Sequence, residues 1–282
     1  MLAARNDDGL KKRDMPRTKL VKPRGVLHAG QDALGFVHAR YWPSADLAPF
    51  VEHYWTVEWR IAQACTRATL PHPVVHVACE NDEAMVGGPA TRRWERVFAA
   101  GSGRVFAIKF RPGGFRPFVG VPVSDFADRV VPLREVFEGA SATFARDVLA
   151  SDHERAVAHL EALLRARKPR VDANLALVVD IAERIAVDRD LTRIEQVAAL
   201  FALTPRTLQR LFREYVGVSP KWVIQRYRLH EVVERVEANA SVDWAALAVE
   251  LGYADQAHLI RDFAKLVGRT PAAYARDARA KS

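Results

Sequence analysis

Near its C-terminal end the sequence reads Leu259-Ile260-Arg261-Asp262-Phe263, followed by Gly268-Arg269-Thr270-Pro271. The same pattern, L-x-R-x-F-x4-G-x-[ST]-P, stands 51 residues earlier in Leu208-Gln209-Arg210-Leu211-Phe212 and Gly217-Val218-Ser219-Pro220. A matched apolar segment lies upstream of each copy, at residues 197–203 and 247–253. Self-similarity of this kind is typical of a repeated supersecondary unit. The C-terminal part of the chain is therefore predicted to hold two copies of one small helical unit.

The caps and turns predict helix, tight turn, helix for each copy. Thr204 stands before a proline at the first helical position, and Asp255 can cap the second copy. Gly252 supplies the left-handed residue that a short connection between helices often needs. The first copy has Ala202 there, which would cost up to about 1 kcal/mol in a left-handed turn. A looser turn is therefore expected in the first copy.

The second helix of each unit separates apolar from polar side chains. In the first unit the apolar stripe is Leu208, Leu211, Phe212 and Tyr215, and the other face carries Arg206, Gln209, Arg210 and Arg213. In the second unit Leu259 and Phe263 point inward. The residues that point outward are Gln256, Ala257, Ile260 and Arg261. Arginine can pair with guanine, glutamine with adenine, and an apolar side chain with the thymine methyl group. These outward residues are the predicted DNA-binding residues.

One amphipathic helix with outward arginines is most often only a solvated surface. Two copies with a similar turn, cap and outward arginine favour contact with DNA. Between the copies, residues 221–236 have apolar side chains at helical spacing. A long helix there could hold the two recognition helices about 34 Å apart, so that they enter successive major-groove segments on one face of the duplex.

The N-terminal half has short apolar stretches broken by Pro, Gly and Asn-Asp. Strands are predicted at residues 55–59, 73–78, 84–86 and 103–110, with turns at 81–82 and 87–89. Helical periodicity follows at residues 132–137 and 142–167. The sequence thus predicts an α+β protein of two domains: a β-rich domain like a sandwich or barrel with trailing helices, and then an all-α domain with two helix-turn-helix units joined by a long helix.

The predicted organisation is a flexible basic tail at residues 1–24, a ligand-sensing or dimerisation domain at 25–167 and a DNA-binding domain at 168–282. The charged, proline-containing Lys168-Pro169-Arg170 marks the boundary. The chain has 42 Lys and Arg against 34 Asp and Glu, and eight of those basic residues lie in the first 24. Because the predicted DNA-binding domain is only mildly basic, its net charge is weak evidence for DNA binding, and the positions of its arginines are the stronger evidence.

Several classes of protein lack support in the sequence. No apolar run reaches the roughly 18 residues of a membrane span, and no signal peptide is evident, so a cytoplasmic location is expected. Cys65 and Cys79 are too few for a disulfide framework or a four-cysteine zinc site. A P-loop, a G-x-S-x-G elbow, an H-E-x-x-H motif and a dinucleotide fingerprint are all missing. Neither an enzyme nor a bound cofactor or metal is expected.

Over residues 190–276 the sequence resembles the AraC/XylS family of bacterial transcription regulators. The match is carried by Ala248-x-x-Leu251-Gly252-Tyr253-x-Asp255-Gln256-x-His258-Leu259-x-Arg261-x-Phe263 and by Gly268-Arg269-Thr270-Pro271-x-x-Tyr274. It departs from the family at Ala202, where glycine is usual, and at Leu259, where phenylalanine is common. The resemblance implies that both units bind double-stranded DNA and that regulation proceeds through contact with RNA polymerase. By position it implies base-facing side chains at Arg206, Gln209, Arg210, Gln256, Ala257, Ile260 and Arg261.

The N-terminal half is similar to an uncharacterised β-rich type of sensor domain, through residues 49–55 and Phe110-Arg111-Pro112-Gly113-Gly114. In this family such a domain binds a small-molecule effector or forms a homodimer, and we expect one of these roles here.

Other readings of the N-terminal half remain open. His72 and His76 would share one side of a strand near Cys79 and could bind a metal, although no third ligand follows at a convincing spacing and turn or core histidines are favoured. The half could also be an enzyme for which DNA sets only the location. An alkyl-transfer repair protein is disfavoured by the two isolated cysteines. A group of aromatic residues could line a ligand pocket or simply form core: Tyr41, Trp42, Tyr54, Trp55 and Trp59.

Overall fold

The computed structural model of the chain describes residues 18–20, 35–237 and 242–279. Most of the predicted basic tail, and the first part of the predicted sensing domain, therefore lie outside the described residues. Thr18–Leu20 pairs with Phe36–Tyr41 as an antiparallel strand, which makes these three residues an exception to the flexible tail that we expected.

The N-terminal half is built on antiparallel strands. They are β1 Thr18–Leu20, β2 Phe36–Tyr41, β3 Val51–Ile61, β4 Cys65–Thr69, β5 His76–Glu80, β6 Glu83–Gly87, β7 Trp94–Phe98, β8 Gly101–Phe110 and β9 Val130–Pro132. Seven of them form one sheet in the order β1-β2-β3-β8-β5-β6-β9, while β4 and β7 form a separate pair. This arrangement confirms the β-rich N-terminal domain.

Side chains alternate between the two faces of the sheet along its longest strands, β3 and β8, and the apolar ones form the face that packs into the core. Tyr54 on β3 stands opposite Ile108 on β8, and both side chains are buried. Phe106 and Phe110 extend this face along β8 and are also buried. The face packs against the helices that follow the sheet, and in this way it forms the floor of the main hydrophobic core.

Each of the four strands predicted from the sequence is present, but the five other described strands were missed, namely β1, β2, β4, β7 and β9. The predicted strand at 73–78 begins only at His76, because Pro71 and Pro73 cannot donate hydrogen bonds to a neighbouring strand. The turn at Asn81-Asp82 is confirmed: both residues have positive φ, as the type I′ turn of a two-residue hairpin requires.

Ten α-helices are present among the described residues. They are α1 Leu133–Val136, α2 Phe144–Ala150, α3 His153–Ala166, α4 Ala173–Val187, α5 Ile194–Leu200, α6 Pro205–Leu211, α7 Pro220–Glu237, α8 Trp244–Glu250, α9 Gln256–Val267 and α10 Pro271–Arg279. The single helix expected over 142–167 is in fact two helices, because Asp152 caps α3 by accepting a hydrogen bond from the Arg155 amide at 2.9 Å. Within the described ranges, no helix has the length and apolar character needed to cross a bilayer.

The main core continues from the sheet into the first helix-turn-helix unit. Leu175 and Val178 on α4 are buried in the same cluster as Phe110 and the buried Leu208 on α6. A second cluster holds α8, α9 and α10 against the C-terminal half of α7, and Leu70 from the loop after β4 belongs to it. The chain leaves helical conformation at residues 167–172, as expected at the boundary, although the core runs on across that point. The bounds of the two domains stay a prediction.

The turns of the two units have the same geometry. Ala202 has φ +52° and Gly252 has φ +75°, so both residues are left-handed. In the first turn the amide of Leu203 donates to the carbonyl of Ala198 at 2.8 Å, and in the second the amide of Tyr253 donates to the carbonyl of Ala248 at 2.9 Å. The expectation of a looser first turn is wrong, because Ala202 adopts the conformation that glycine adopts in the second turn.

We predict that Leu175→Ala destabilises the whole chain by about 2–5 kcal/mol, because it removes a side chain that is 1% exposed where the sheet meets α4. Chemical denaturation of the full chain measures this change. The control is Val187→Ala on the same helix, where the side chain is 74% exposed and the expected change is within about 0.5 kcal/mol. If the two substitutions changed the free energy of unfolding equally, Leu175 would not be part of a core shared by the sheet and the helices.

We predict opposite effects for exchanges at the two turn residues. Ala202→Gly should stabilise, because the left-handed strain of about 1–2 kcal/mol that it relieves exceeds the unfolded-chain entropy of about 0.4–1 kcal/mol that it adds. Gly252→Ala should destabilise, since a β-carbon there would be strained and would lie 2.7 Å from Cβ of Thr192. Denaturation midpoints test both changes, and a destabilised Ala202→Gly variant would show that the strain is smaller than assumed.

Candidate nucleic-acid interface

Helix α6 presents the first set of predicted DNA-binding residues. Thr204 caps the helix by accepting a hydrogen bond from the Thr207 amide at 3.1 Å, and Pro205 occupies its first turn. Leu208 and Leu211 are buried beneath the helix. Three predicted residues are exposed on its outer side: Arg206, Gln209 and Arg210. The local sequence thus orients the polar side chains away from the core, as predicted.

Arg213 lies beyond the end of α6, in a wider helical turn over Phe212–Val216. Its side chain is exposed, while Phe212 and Tyr215 in the same turn are buried. The wider turn ends at Gly217, which has φ +85°. Arg213 therefore stays on the outer side of the unit, although it is no longer part of a regular α-helix.

Helix α9 presents the second set. Asp255 caps it by accepting a hydrogen bond from the His258 amide at 2.7 Å, and Leu259 and Phe263 are fully buried. Three of the predicted residues are exposed, Gln256, Ala257 and Arg261, whereas Ile260 is only half-exposed. Ile260 thus lies at the edge of the outer face. We expected its side chain to project into solvent, and instead it is partly buried.

The arginines on these faces have no acidic partner within the parts of the chain that the structure describes. Within those parts no ion pair and no side-chain hydrogen bond involves any of the four: Arg206, Arg210, Arg213 and Arg261. Many other arginines of the chain are paired, for example Arg165 with Asp46 and Arg235 with Glu250. An exposed arginine without a carboxylate keeps its donors available for phosphate or base acceptors.

Helix α7 connects the two units and is fixed to both. Arg228 donates to the carbonyl of Leu191, before α5, at 2.9 Å. At its far end Arg235 pairs with Glu250 on α8. The predicted long helix over 221–236 is thus present, and its polar contacts hold both units to one rigid element.

The N-terminal half contacts the end of each recognition helix. Gly217 lies so close to Val123 that a β-carbon would stand 2.8 Å from its carbonyl oxygen. Arg93 donates to the carbonyl of Val267, the last residue of α9, at 2.8 Å. Arg116 donates to Glu214, beyond α6, at 2.8 Å. These contacts could not be predicted from sequence patterns, because each of them joins residues about 100 or more positions apart.

The other candidate sites do not assemble as groups. His72 lies in the loop before β5 and not on a strand, so the argument that it shares a face with His76 fails. Among the described residues no group of three or more potential ligands could hold a metal ion. Cys65 and Cys79 are both free thiols. The aromatic residues do not line one pocket either, since Tyr41 and Tyr54 are core while Trp42 is 45% exposed on the surface.

Two family models match separate parts of the chain. A model described as "Helix-turn-helix domain" matches residues 197–277, which include both units. A model described as "Domain of unknown function (DUF6597)" matches residues 39–132, which include most of the sheet. No curated protein matches the sequence.

Solved structures with similar chains come from bacterial regulators. The C-terminal domain of AraT, a response regulator from Geobacillus stearothermophilus, is 20% identical with a TM-score of 0.34, and the match covers 38% of this chain and 88% of that one. An AraC-type regulator from Chromobacterium violaceum is 16% identical with a TM-score of 0.32, over 36% and 96% of the two chains. ToxT from Vibrio cholerae bound to an unsaturated fatty acid is 10% identical with a TM-score of 0.40, over 79% and 94%.

The family model covers both repeated units, their caps and the helix between them. Residues 197–277 of this chain form a helix-turn-helix domain, and their sequence resembles the DNA-binding domain of AraC-type transcription regulators.

Proposed function

We propose that the chain recognises a specific duplex DNA sequence through both units, and that its N-terminal half controls this binding through a small-molecule effector or a homodimer. The observation that carries the proposal is the pair of outer faces on α6 and α9, which present exposed arginine and glutamine with no acidic partner within the described residues. Arginine and glutamine are the side chains best suited to guanine and adenine edges in the major groove.

In this proposal the base contacts come from Arg206, Gln209 and Arg210 in the first unit and from Gln256, Ala257, Ile260 and Arg261 in the second. Arg213, beyond the regular part of α6, contacts the phosphate backbone or an adjacent base. The half-exposed Ile260 meets a thymine methyl group at the edge of the contact. Since α7 is fixed to both units, they bind together, and the operator has two parts about one helical turn apart.

Control by the N-terminal half is supported by its contacts with both units. Arg116 and Val123 lie against the end of the first recognition helix, and Arg93 lies against the end of the second. A change in the sheet can therefore reach both DNA-contacting helices without a flexible linker. Regulation through RNA polymerase is part of the proposal on the family resemblance alone.

The test is selection of bound duplexes from a random DNA pool by the full chain, with affinity measured against salt concentration. The full chain is required because the first unit shares its core with the sheet. We expect enrichment of a bipartite motif whose parts lie about 10 base pairs apart. Salt-sensitive binding without any enriched motif would reduce the domain to a nonspecific DNA anchor and would refute sequence-specific recognition.

Substitution of one arginine in each unit separates base contacts from phosphate contacts. Arg210→Ala and Arg261→Ala should each weaken binding to the selected operator by about 1–3 kcal/mol and relax the sequence preference at one position. The matched control is Arg155→Ala on α3, a strongly exposed arginine outside the DNA-binding domain. Titrations on operator and random DNA measure the difference. If both kinds of DNA lose affinity equally, the two arginines touch only phosphate.

A further inference from the structure

The segment between β6 and β7, residues 88–93, lies against both helix-turn-helix units, and we call it the bridging segment. In the first unit it contacts Gly217, where a β-carbon would stand 3.0 Å from Cγ of Pro89. In the second unit it contacts Gly268, where a β-carbon would stand 2.5 Å from a guanidinium nitrogen of Arg93. Gly217 and Gly268 are equivalent residues of the internal repeat, 51 positions apart. One short segment thus touches the same point on both units.

Each of these glycines marks the end of a recognition helix. Gly217 closes the wider turn that follows α6, and Gly268 follows the last residue of α9 in a left-handed conformation, with φ +83°. Arg93 donates to the carbonyl of Val267 at 2.8 Å, and its other terminal nitrogen pairs with Glu95 on β7. An arginine at this end satisfies an unpaired carbonyl and interacts favourably with the helix dipole. Arg93 therefore holds α9 by its C-terminal end.

The bridging segment is itself anchored to the N-terminal half. The amide and the hydroxyl of Thr91 donate to the two carboxylate oxygens of Asp128, at 2.7 and 2.6 Å. The amide of Asp128 donates to the carbonyl of Pro89 at 3.0 Å, and the amide of Gly88 donates to the carbonyl of Arg129 at 2.9 Å. Four hydrogen bonds thus fix the segment between its contacts with the two units.

The two units are attached to the N-terminal half to different extents. The first unit shares the main hydrophobic core with the sheet. The core of the second unit takes from the N-terminal half the buried Leu70, with Ala68 packed against it. Since this apolar contact is small, the position of the second unit relative to the first depends on helix α7 and on directed polar contacts such as that of Arg93 with Val267.

We infer that the bridging segment fixes the distance between the two recognition helices, and that Arg93 is the positioning residue for α9. The inference rests on the proposed function in one respect: on DNA, this distance sets the number of base pairs between the two halves of the operator. One base pair more or fewer shifts a half-site by about 3.4 Å and rotates it by about 34° around the duplex. Helix α9 reaches a shifted half-site only after the contact between Arg93 and Val267 breaks.

The first test measures binding of the full chain to a series of operators that differ only in the number of base pairs between their halves. We expect the wild-type chain to prefer one spacing. Arg93→Ala should lower the preference for that spacing over its neighbours about tenfold, through loss of one charge-assisted hydrogen bond. The base preference within each half should stay unchanged. A variant that is only less stable would instead lose affinity for every spacing alike.

Arg92→Ala is the matched control, because it removes the same charge from the neighbouring, exposed position of the bridging segment. It should keep the spacing preference of the wild-type chain, and an equal loss in both variants would reduce the effect to net charge and overturn the inference. Asp128→Gly removes the anchor of Thr91 at a position with φ +56°, which glycine adopts readily. It should change the spacing preference in the same direction as Arg93→Ala.

The second test needs no DNA and measures the distance between spin labels on the two units. The labels are attached through Ala199→Cys on α5 and Val249→Cys on α8, two exposed and equivalent positions, in a chain whose partly exposed Cys65 is replaced by serine. We expect one narrow distance distribution for the wild-type and Arg92→Ala chains, and a broader one for Arg93→Ala.

Identical distance distributions for the wild-type and Arg93→Ala chains would overturn the inference, and so would an unchanged spacing preference. The two tests also separate this outcome from failure of the proposed function. If the random pool yields no operator motif, sequence-specific recognition is refuted and the label distances alone decide the inference. If a motif is found but Arg93→Ala keeps the spacing preference, only the positioning role of Arg93 is refuted.

Discussion

Helix α4 packs against the turn that follows the central strand β8, and the rest of the structure depends on this apolar contact. A β-carbon on Gly113 in that turn would stand 3.0 Å from the side chain of Val178 on α4, which is a tight contact, and the φ of +88° at this position also favours glycine. Buried α4 side chains then extend the core of the sheet into the first helix-turn-helix unit. The N-terminal half and the first helix-turn-helix unit consequently share one hydrophobic core.

The parts of the chain that could be predicted from its sequence are those with local causes. The caps at Thr204 and Asp255, the inward Leu259 and the long helix between the units all follow from residues within a few positions of one another. The strongest strands, β3 and β8, were found for the same reason, since they are long and rich in β-branched and aromatic residues. The outer faces of α6 and α9 were predicted, apart from the half-exposed Ile260 and from Arg213 beyond the end of α6, because helical spacing fixes which side chains share a side.

What could not be predicted depends on contacts between distant residues. Strand β7 has exposed Trp94 and Val97 and two charged residues between them, and its strand conformation depends on pairing with β4. The positive φ of Ala202 is imposed by the packing of two helices and runs against its local preference. The hydrogen bond from the buried Arg226 on α7 to the carbonyl of Pro71 could not be predicted for a similar reason, because the two residues lie 155 positions apart in the sequence.

The two hydrophobic clusters also differ in what they hold. The first spans the sheet, α4, α5 and α6, whereas the second contains little beyond the end of α7, the second unit and Leu70. Local opening of a protein requires less free energy where fewer apolar contacts must be broken. Local opening of α6 would therefore have to break contacts in the large first cluster, whereas local opening of α9 would break contacts only in the smaller second cluster. In the proposed complex with DNA, ordering of the second unit would therefore cost more conformational entropy than ordering of the first, and the second half of the operator would carry this larger cost.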